Sequence, residues 1–144
     1  MSLLFKKLHP EAKAPKQMNP GDAGYDITAV SSTYDRLTKI ITYNTGLAIK
    51  VPDGFVGLLF MRSSVYKTGL SLCNATGVLD SGFLGEVTAK FNVLNLQFAS
   101  ENMYQLGDRI IQLVIVPCES GEAIEVDELP KSQRGTGGYG STGV

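Results

Sequence analysis

The chain has 144 residues, with 13 Lys+Arg, 14 Asp+Glu and one His, giving a formal net charge of -1. That balance excludes a protein that tracks nucleic-acid phosphates, which carries a basic excess or stripe. No apolar run approaches the ~20 residues of a membrane helix, and 43% hydrophobic with 19% charged residues fits one soluble globular domain.

In chain order, Met1-Ser2-Leu3-Leu4-Phe5-Lys6-Lys7 places apolar residues before its charges and does not read as a secretory signal. Ile40 to Lys50 alternates imperfectly around Asn44-Thr45-Gly46, which predicts a turn between two β-prone runs. Val51-Pro52-Asp53-Gly54-Phe55 predicts a turn into a strand over Val56 to Phe60. Ser63 to Lys67 is the one segment that reads as a helical turn, entered at a serine cap and closed near Gly69. Glu86 to Val93 places Val87, Ala89, Phe91 and Val93 on one strand face. Arg109 to Val116 is an apolar, β-branched run interrupted by Gln112 and reads as a buried strand. Short strands with 16 Gly and 6 Pro predict an all-β sandwich or barrel over residues 1–130. Residues 131–144 hold little to bury. Composition alone gives a disordered tail; glycines able to converge backbone N–H groups on an anion give a closing arm.

Several catalytic classes fall away. His9, before Pro10, is the only imidazole and reads as a surface residue rather than a general base. His9-Pro10-Glu11 and Pro117-Cys118 echo halves of a zinc deaminase signature, but Gly121 stands where the next cysteine belongs, and two ligands do not hold zinc. Gly135, Gly137 and Gly140 satisfy G-x-G-x-x-G with no helix to follow. Cys73 and Cys118 are too few for a disulfide scaffold and are expected as reduced thiols buried on strands. A reducing compartment follows, the cytoplasm, or the nucleus for a eukaryotic or viral source.

Five polar segments interrupt the apolar pattern: Ala23 to Ala29, Arg62 to Leu70, Asn74 to Glu86, Gly107 to Leu113, and Arg134 to Gly143. Each alone has an ordinary structural explanation. Asp26 suits a turn cap, Arg62 an ion pair, Asp80 an Asx-turn, and Gln112 a hydrogen-bonded core amide. Their joint order and spacing closely resembles the five motifs of the trimeric dUTP pyrophosphatase (dUTPase) family.

That resemblance implies a jelly-roll homotrimer that converts dUTP and water to dUMP and pyrophosphate with Mg²⁺. Each of three sites would take Arg62-Ser63-Ser64 and Gln112 from one chain, the hairpin around Asp80 from another, and the glycine-rich arm from the third. Asp80 resembles the family's water-activating carboxylate, and Asp26 would lie by the metal's water network. Arg62, Ser63, Ser64, Gln112 and Arg134 would donate to the phosphates, where Arg engages oxygens bidentately. Ser141 and Thr142 resemble the γ-phosphate clasp. Asn74 and the backbone of Gly77 to Leu79 would read uracil, since a mismatched cytosine leaves buried polar groups unpaired. Leu79 and Phe83 would floor the sugar, and Tyr139 would stack on the base. Three positions depart from the family's usual residues: Phe83 for Tyr, Tyr139 for Phe, and Met61 for a small residue or Pro.

Two other readings compete. The related dCTP deaminases share the scaffold and an Arg-Ser-Ser segment. They carry a catalytic Glu at the position of Lys90, and lysine cannot shuttle protons that way. A non-catalytic binding protein would use the trimer surface to hold a protein partner.

Overall fold

A computed structural model describes residues 2–137. Nine strands and one α-helix form two antiparallel sheets: β1 Leu4–Lys7, β2 Tyr25–Thr28, β3 Ser31–Asp35, β4 Ile40–Lys50, β5 Phe55–Met61, β6 Leu70–Leu72, β7 Gly77–Leu79, β8 Glu86–Val93, α1 Leu96–Asn102 and β9 Arg109–Pro117. One sheet runs β1-β4-β8-β6, with β3 also paired to β4. The other runs β2-β9-β5-β7. The result is the expected all-β, jelly-roll-like sandwich.

The two long strands of the first sheet carry its apolar face into the core. Along β8 the buried residues are Val87, Ala89, Phe91 and Val93, as the period of two requires. On β4, Ile41, Tyr43, Leu47 and Ile49 face inward. From the second sheet come Ile27, Leu59, Leu79, Ile110, Ile111 and Leu113. Tyr43, Phe91 and Tyr104 pack edge-on or tilted, with ring centroids 5.9 to 6.2 Å apart. The Tyr43 hydroxyl donates to the Tyr104 carbonyl at 2.9 Å.

Four sequence expectations change in the fold. Asn44-Thr45-Gly46 is no turn: β4 runs straight through, and the register on β8 shifts between Asn44 and Ala48. The irregularity is stapled, because Thr45 Oγ1 donates to the Val87 carbonyl at 2.6 Å and Gly46 N–H donates to Glu86 Oε1 at 2.7 Å. Gly46 takes φ 64°, and a β-carbon there would meet His9 Cβ at 2.7 Å. A left-handed glycine inside a strand marks a bulge as readily as a turn.

The helical turn at Ser63–Lys67 is a 3-10 helix whose cap residue is Arg62, not a serine, and no side chain caps it. It closes at Gly69, φ 67°, as expected. A second helical element, α1, was not anticipated; Asn95 caps it by accepting from Phe98 N–H at 3.0 Å. Finally, Cys73 and Cys118 are free but exposed, each just past the end of a strand, β6 and β9 respectively. Apolar character puts a cysteine inside only where the pleat points inward, and both positions lie beyond the last inward residue. His9 is exposed, as expected.

Candidate active site

The central strand β9 organises one half of the site. In register, Asp26 on β2 lies opposite Gln112, and Gln112 lies opposite Phe60 on β5. Directly opposed residues share a sheet face, so Asp26 and Gln112 project together. Arg62 stands two residues past Phe60 in extended backbone, φ -74° and ψ 152°, and so returns to that face. Its Nε donates to Asp26 Oδ1 at 3.0 Å, and Nη1 reaches Ser64 Oγ at 3.4 Å. The other carboxylate oxygen, Asp26 Oδ2, accepts from Arg109 Nη1 at 2.8 Å. The Asp26 side chain is only 15% exposed, so this double ion pair fixes geometry where water is scarce.

These groups open into a cavity of about 430 Å³ lined by Asp22, Asp26, Arg62, Ser63, Arg109 and Gln112 among others. Gln112 Nε2 donates to the Met61 carbonyl at 3.3 Å, leaving its Oε1 and second N–H for other partners. Met61, one of the departures from the family pattern, also accepts from Leu72 N–H at its sulfur, 3.2 Å away. Its side chain thus ties β5 to β6 while its backbone holds Gln112. Behind the serines lies Tyr104, whose buried hydroxyl has no hydrogen-bond partner among the described residues. Burial pushes that hydroxyl's pKa up, with nearby Ser64 and Arg62 opposing.

The hairpin supplies the other half. Strand β7, Gly77–Leu79, pairs with β5 on one side and ends its sheet. Its outer N–H and C=O groups therefore have no strand neighbour, which is the backbone edge a planar base can read. Gly77 fits against Leu59, since a β-carbon there would stand 3.0 Å from Leu59 Cβ. Asn74, Gly77, Leu79 and Phe83 line a second cavity, of about 170 Å³. Asp80 follows β7 directly and is exposed; its carbonyl accepts from Phe83 N–H at 3.1 Å. Lys50 Nζ braces the turn by donating to the Ser81 carbonyl at 2.9 Å and Asp53 at 2.7 Å.

The sequence profile of a family described as dUTPase matches residues 10–143. The chain belongs to the dUTPase family. It is 40% identical to the deoxyuridine 5'-triphosphate nucleotidohydrolase of Rhodococcus erythropolis over 144 residues, spanning 99% of this chain and 87% of that protein. It is also 40% identical to the protein of the same name from Thermobifida fusca over 140 residues, spanning 96% and 77%. Among solved structures, the dUTPase of Staphylococcus bacteriophage 80alpha with dUPNHPP superposes at a TM-score of 0.84, with 30% identity over 99% of both chains. A mutant dUTPase of S. aureus phage phi11, described with a structural Mg(II) ion, superposes at 0.76 with 27% identity over 89% of this chain and 98% of that one.

Within this dUTPase fold most of the expected site residues fall into two cavities, while the exposed Asp80 lines neither. Asp26, Arg62, Ser63 and Gln112 share one cavity, with Ser64 in contact through Arg62. Asn74, Gly77, Leu79 and Phe83 share the other. Arg134 is exposed, and its Nε donates to the Gly137 carbonyl at 2.9 Å. Tyr139, Ser141 and Thr142 lie outside the described residues. Sequence reasoning passed over Asp22 and Arg109, which line the same cavity as Asp26 and Arg62. Asp22 closes an Asn-Pro-Gly-Asp turn, accepting from Asn19 N–H at 2.8 Å, so its signal was turn chemistry rather than catalysis.

Among the described residues no group of three or more His, Cys, Asp or Glu side chains converges as a metal cage. The donor set still fits a magnesium ion carried by phosphates. Two carboxylates, Asp22 and Asp26, face the same cavity as two guanidiniums, Arg62 and Arg109. That mixed lining suits a polyphosphate bearing a water-clad hard cation, which needs few protein ligands.

Proposed function

We propose that this chain hydrolyses dUTP to dUMP and pyrophosphate, with Asp80 activating the attacking water. One observation carries the reading beyond family membership. Asp26, Arg62, Ser63 and Gln112, which suit phosphate oxygens, line one cavity, and Asn74, Gly77, Leu79 and Phe83, beside an open strand edge, line another. Such a division supports a homotrimer with sites shared between neighbours.

The chemistry follows from the residues. Cleavage at the α-phosphate needs an oriented water and a proton acceptor, and an exposed carboxylate at the hairpin tip is free to meet a substrate held by another copy. General-base help of this kind is worth ~10²–10⁴-fold. Arg62, Ser63, Ser64 and Gln112 donate to the phosphate oxygens and to the charge that gathers on the departing pyrophosphate. Mg²⁺, when bound, neutralises the triphosphate; Asp26 and Asp22 would hold its water shell. Arg134, Ser141, Thr142 and Tyr139 complete the enclosure as a C-terminal arm over residues 131–144, Tyr139 on the base and the hydroxyls on the terminal phosphate. Leu79 and Phe83 reject a ribose, because a buried unpaired hydroxyl costs ~1–3 kcal/mol.

In a cell this activity limits uracil incorporation into DNA and supplies dUMP for thymidylate synthesis. The cytoplasm is its place. No helix among the described residues is long and apolar enough to cross a membrane.

Pyrophosphate release measured across dUTP, dCTP, dTTP and UTP tests the reading. Turnover confined to dUTP is expected. Ammonia release from dCTP would instead make the chain a deaminase, and no turnover of any nucleotide would make it a binding protein. Mass measurement in solution should give three copies.

A further inference from the structure

Strand β9 breaks its own alternation at one point. Asp26 opposes Gln112 and Ile27 opposes Ile111, but Thr28 opposes Arg109, so Ile110 is an extra residue in the register. In a regular strand, residues 112 and 110 would share one face and 111 and 109 the other. Here Ile110 and Ile111 are both fully buried, and Arg109 returns to the face of Gln112. Bulges re-aim side chains in this way and are enriched next to active sites. Without it, Arg109 would point into an apolar core, where an unpaired guanidinium is not tolerated.

We infer that Arg109 is a positioning residue of the phosphate site, brought there by the bulge to clamp Asp26 and through it to aim Arg62. The inference rests on the dUTPase reading above. The chain of contacts is explicit. Arg109 Nη1 holds Asp26 Oδ2 at 2.8 Å, Asp26 Oδ1 holds Arg62 Nε at 3.0 Å, and Arg62 Nη1 lies 3.5 Å from the Arg109 carbonyl. Arg62 is thereby tethered at Nε and Nη1, which leaves its Nη2 N–H groups for phosphate oxygens. The Asp26 backbone is equally fixed, with N–H and C=O bonded to Lys16 at 2.9 and 3.2 Å. A single guanidinium on Asp26 would leave that carboxylate a rotational choice; the second removes it.

The test is a double-mutant cycle on the full chain, using R109Q, D26N and the double variant, with R109K as the conservative control. Steady-state kcat and KM for dUTP are measured, together with Kd for inorganic pyrophosphate and the melting temperature. R109Q is expected to lower kcat about 10–100-fold, the scale of a slightly misaimed catalytic group. In the D26N background the same change should cost less than about 3-fold, because residues acting through one another are not additive. R109K should recover to within about 5-fold of the wild type by keeping a cation on Asp26.

Losses that multiply in the double variant would overturn the inference, since Arg109 would then meet phosphate independently of Asp26. Equal losses for R109K and R109Q, or full kcat in R109Q, would overturn it too. If R109Q does not fold, the R109K and R109K/D26N pair carries the same comparison. Should the wild type fail to cleave dUTP, the dUTPase reading falls, while coupling in pyrophosphate affinity still decides the role of Arg109.

Discussion

The ring of Phe83 lies so close over Gly85 that a β-carbon built there would stand 2.8 Å from Phe83 Cζ and 3.1 Å from Cε2. The two residues are therefore one device: the hairpin can fold this aromatic back, where the proposed function sets it beneath the sugar, only because nothing projects from position 85. Phe83 is 43% exposed, so its ring has room to swing outward when pushed. Gly85→Ala should leave the sandwich folded and displace that floor. We expect KM for dUTP to rise about 3–10-fold and the preference for dUTP over UTP to narrow, since a looser pocket no longer leaves the extra hydroxyl unpaired. Steady-state kinetics on both nucleotides, beside a melting curve within a few degrees of wild type, check this.

A second glycine lies against Gln112. A β-carbon on Gly24 would lie 3.2 Å from Gln112 Oε1 and 3.3 Å from Gln112 Cβ. Gln112 must then shift by a few tenths of an ångström, straining its bond to the Met61 carbonyl. Gly24→Ala should lower kcat about 3–10-fold, and Gln112→Ala about 10–100-fold, because the first misplaces a donor and the second removes it. Equal losses in rapid-quench turnover would mean that Gly24 matters for some other reason.

Much of this architecture was legible in the chain. The alternation of β8 and the apolar run of β9 report burial directly, since a strand's period of two leaves little choice of face. The polar motifs hold Asp26, Arg62, Ser63 and Gln112, which share one cavity, and Asn74, Gly77, Leu79 and Phe83, which share another, but they gave no role to Asp22 or Arg109. What escaped did so for local physical reasons. Gly46 signals only a positive φ, and the β8 residues that staple the bulge, Val87 and Glu86, lie 42 and 40 residues from their partners Thr45 and Gly46. Strict alternation would turn Arg109 to the face away from Gln112, so the sequence pattern alone gives it no place in the site. Only the pairing with Thr28 reveals the change of phase. The exposure of Cys73 and Cys118 depends on where β6 and β9 stop, and strand ends are the least certain feature of any sequence pattern.

The core makes a pH prediction. Burial, with Tyr104 and Asp108 nearby, pushes the Tyr43 hydroxyl pKa from 10.0 up to about 12. The sign follows from proton counts. Below pH 10 both folded and unfolded chains keep this proton, so Tyr43 makes no pH dependence. Between about 10 and 12 the unfolded chain loses it while the folded chain retains it, so the unfolded state binds fewer protons and stability falls as pH rises, by about 1.4 kcal/mol per unit at most. Tyr43→Phe should flatten that limb relative to wild type. It should also cost about 1 kcal/mol at neutral pH, through the lost bond to the Tyr104 carbonyl. Urea titrations of both proteins at pH 8, 10 and about 11.5 measure the difference.

The division of the site into two cavities predicts how damaged copies rescue one another. If Asp80 is the base proposed above, Asp80→Asn keeps the hairpin's shape and removes it, so kcat should fall about 10²–10⁴-fold with KM little changed. Arg62→Ala damages the opposite half-site and should raise KM as well as lower kcat, since the ion pair to Asp26 is lost with the phosphate donor. Each variant alone is then nearly inactive for a different reason. If the hairpin of one copy meets the phosphate cavity of a neighbour, refolding the two variants together at equal amounts rebuilds intact sites. In random mixed trimers about one site in four joins an undamaged hairpin to an undamaged phosphate cavity, so about a quarter of wild-type turnover should return. If each chain carried its whole site alone, every site in the mixture would keep one lesion, and turnover would stay at the mean of the two variants. The recovered rate thus reads directly whether Asp80 and Arg62 serve the same substrate from different chains.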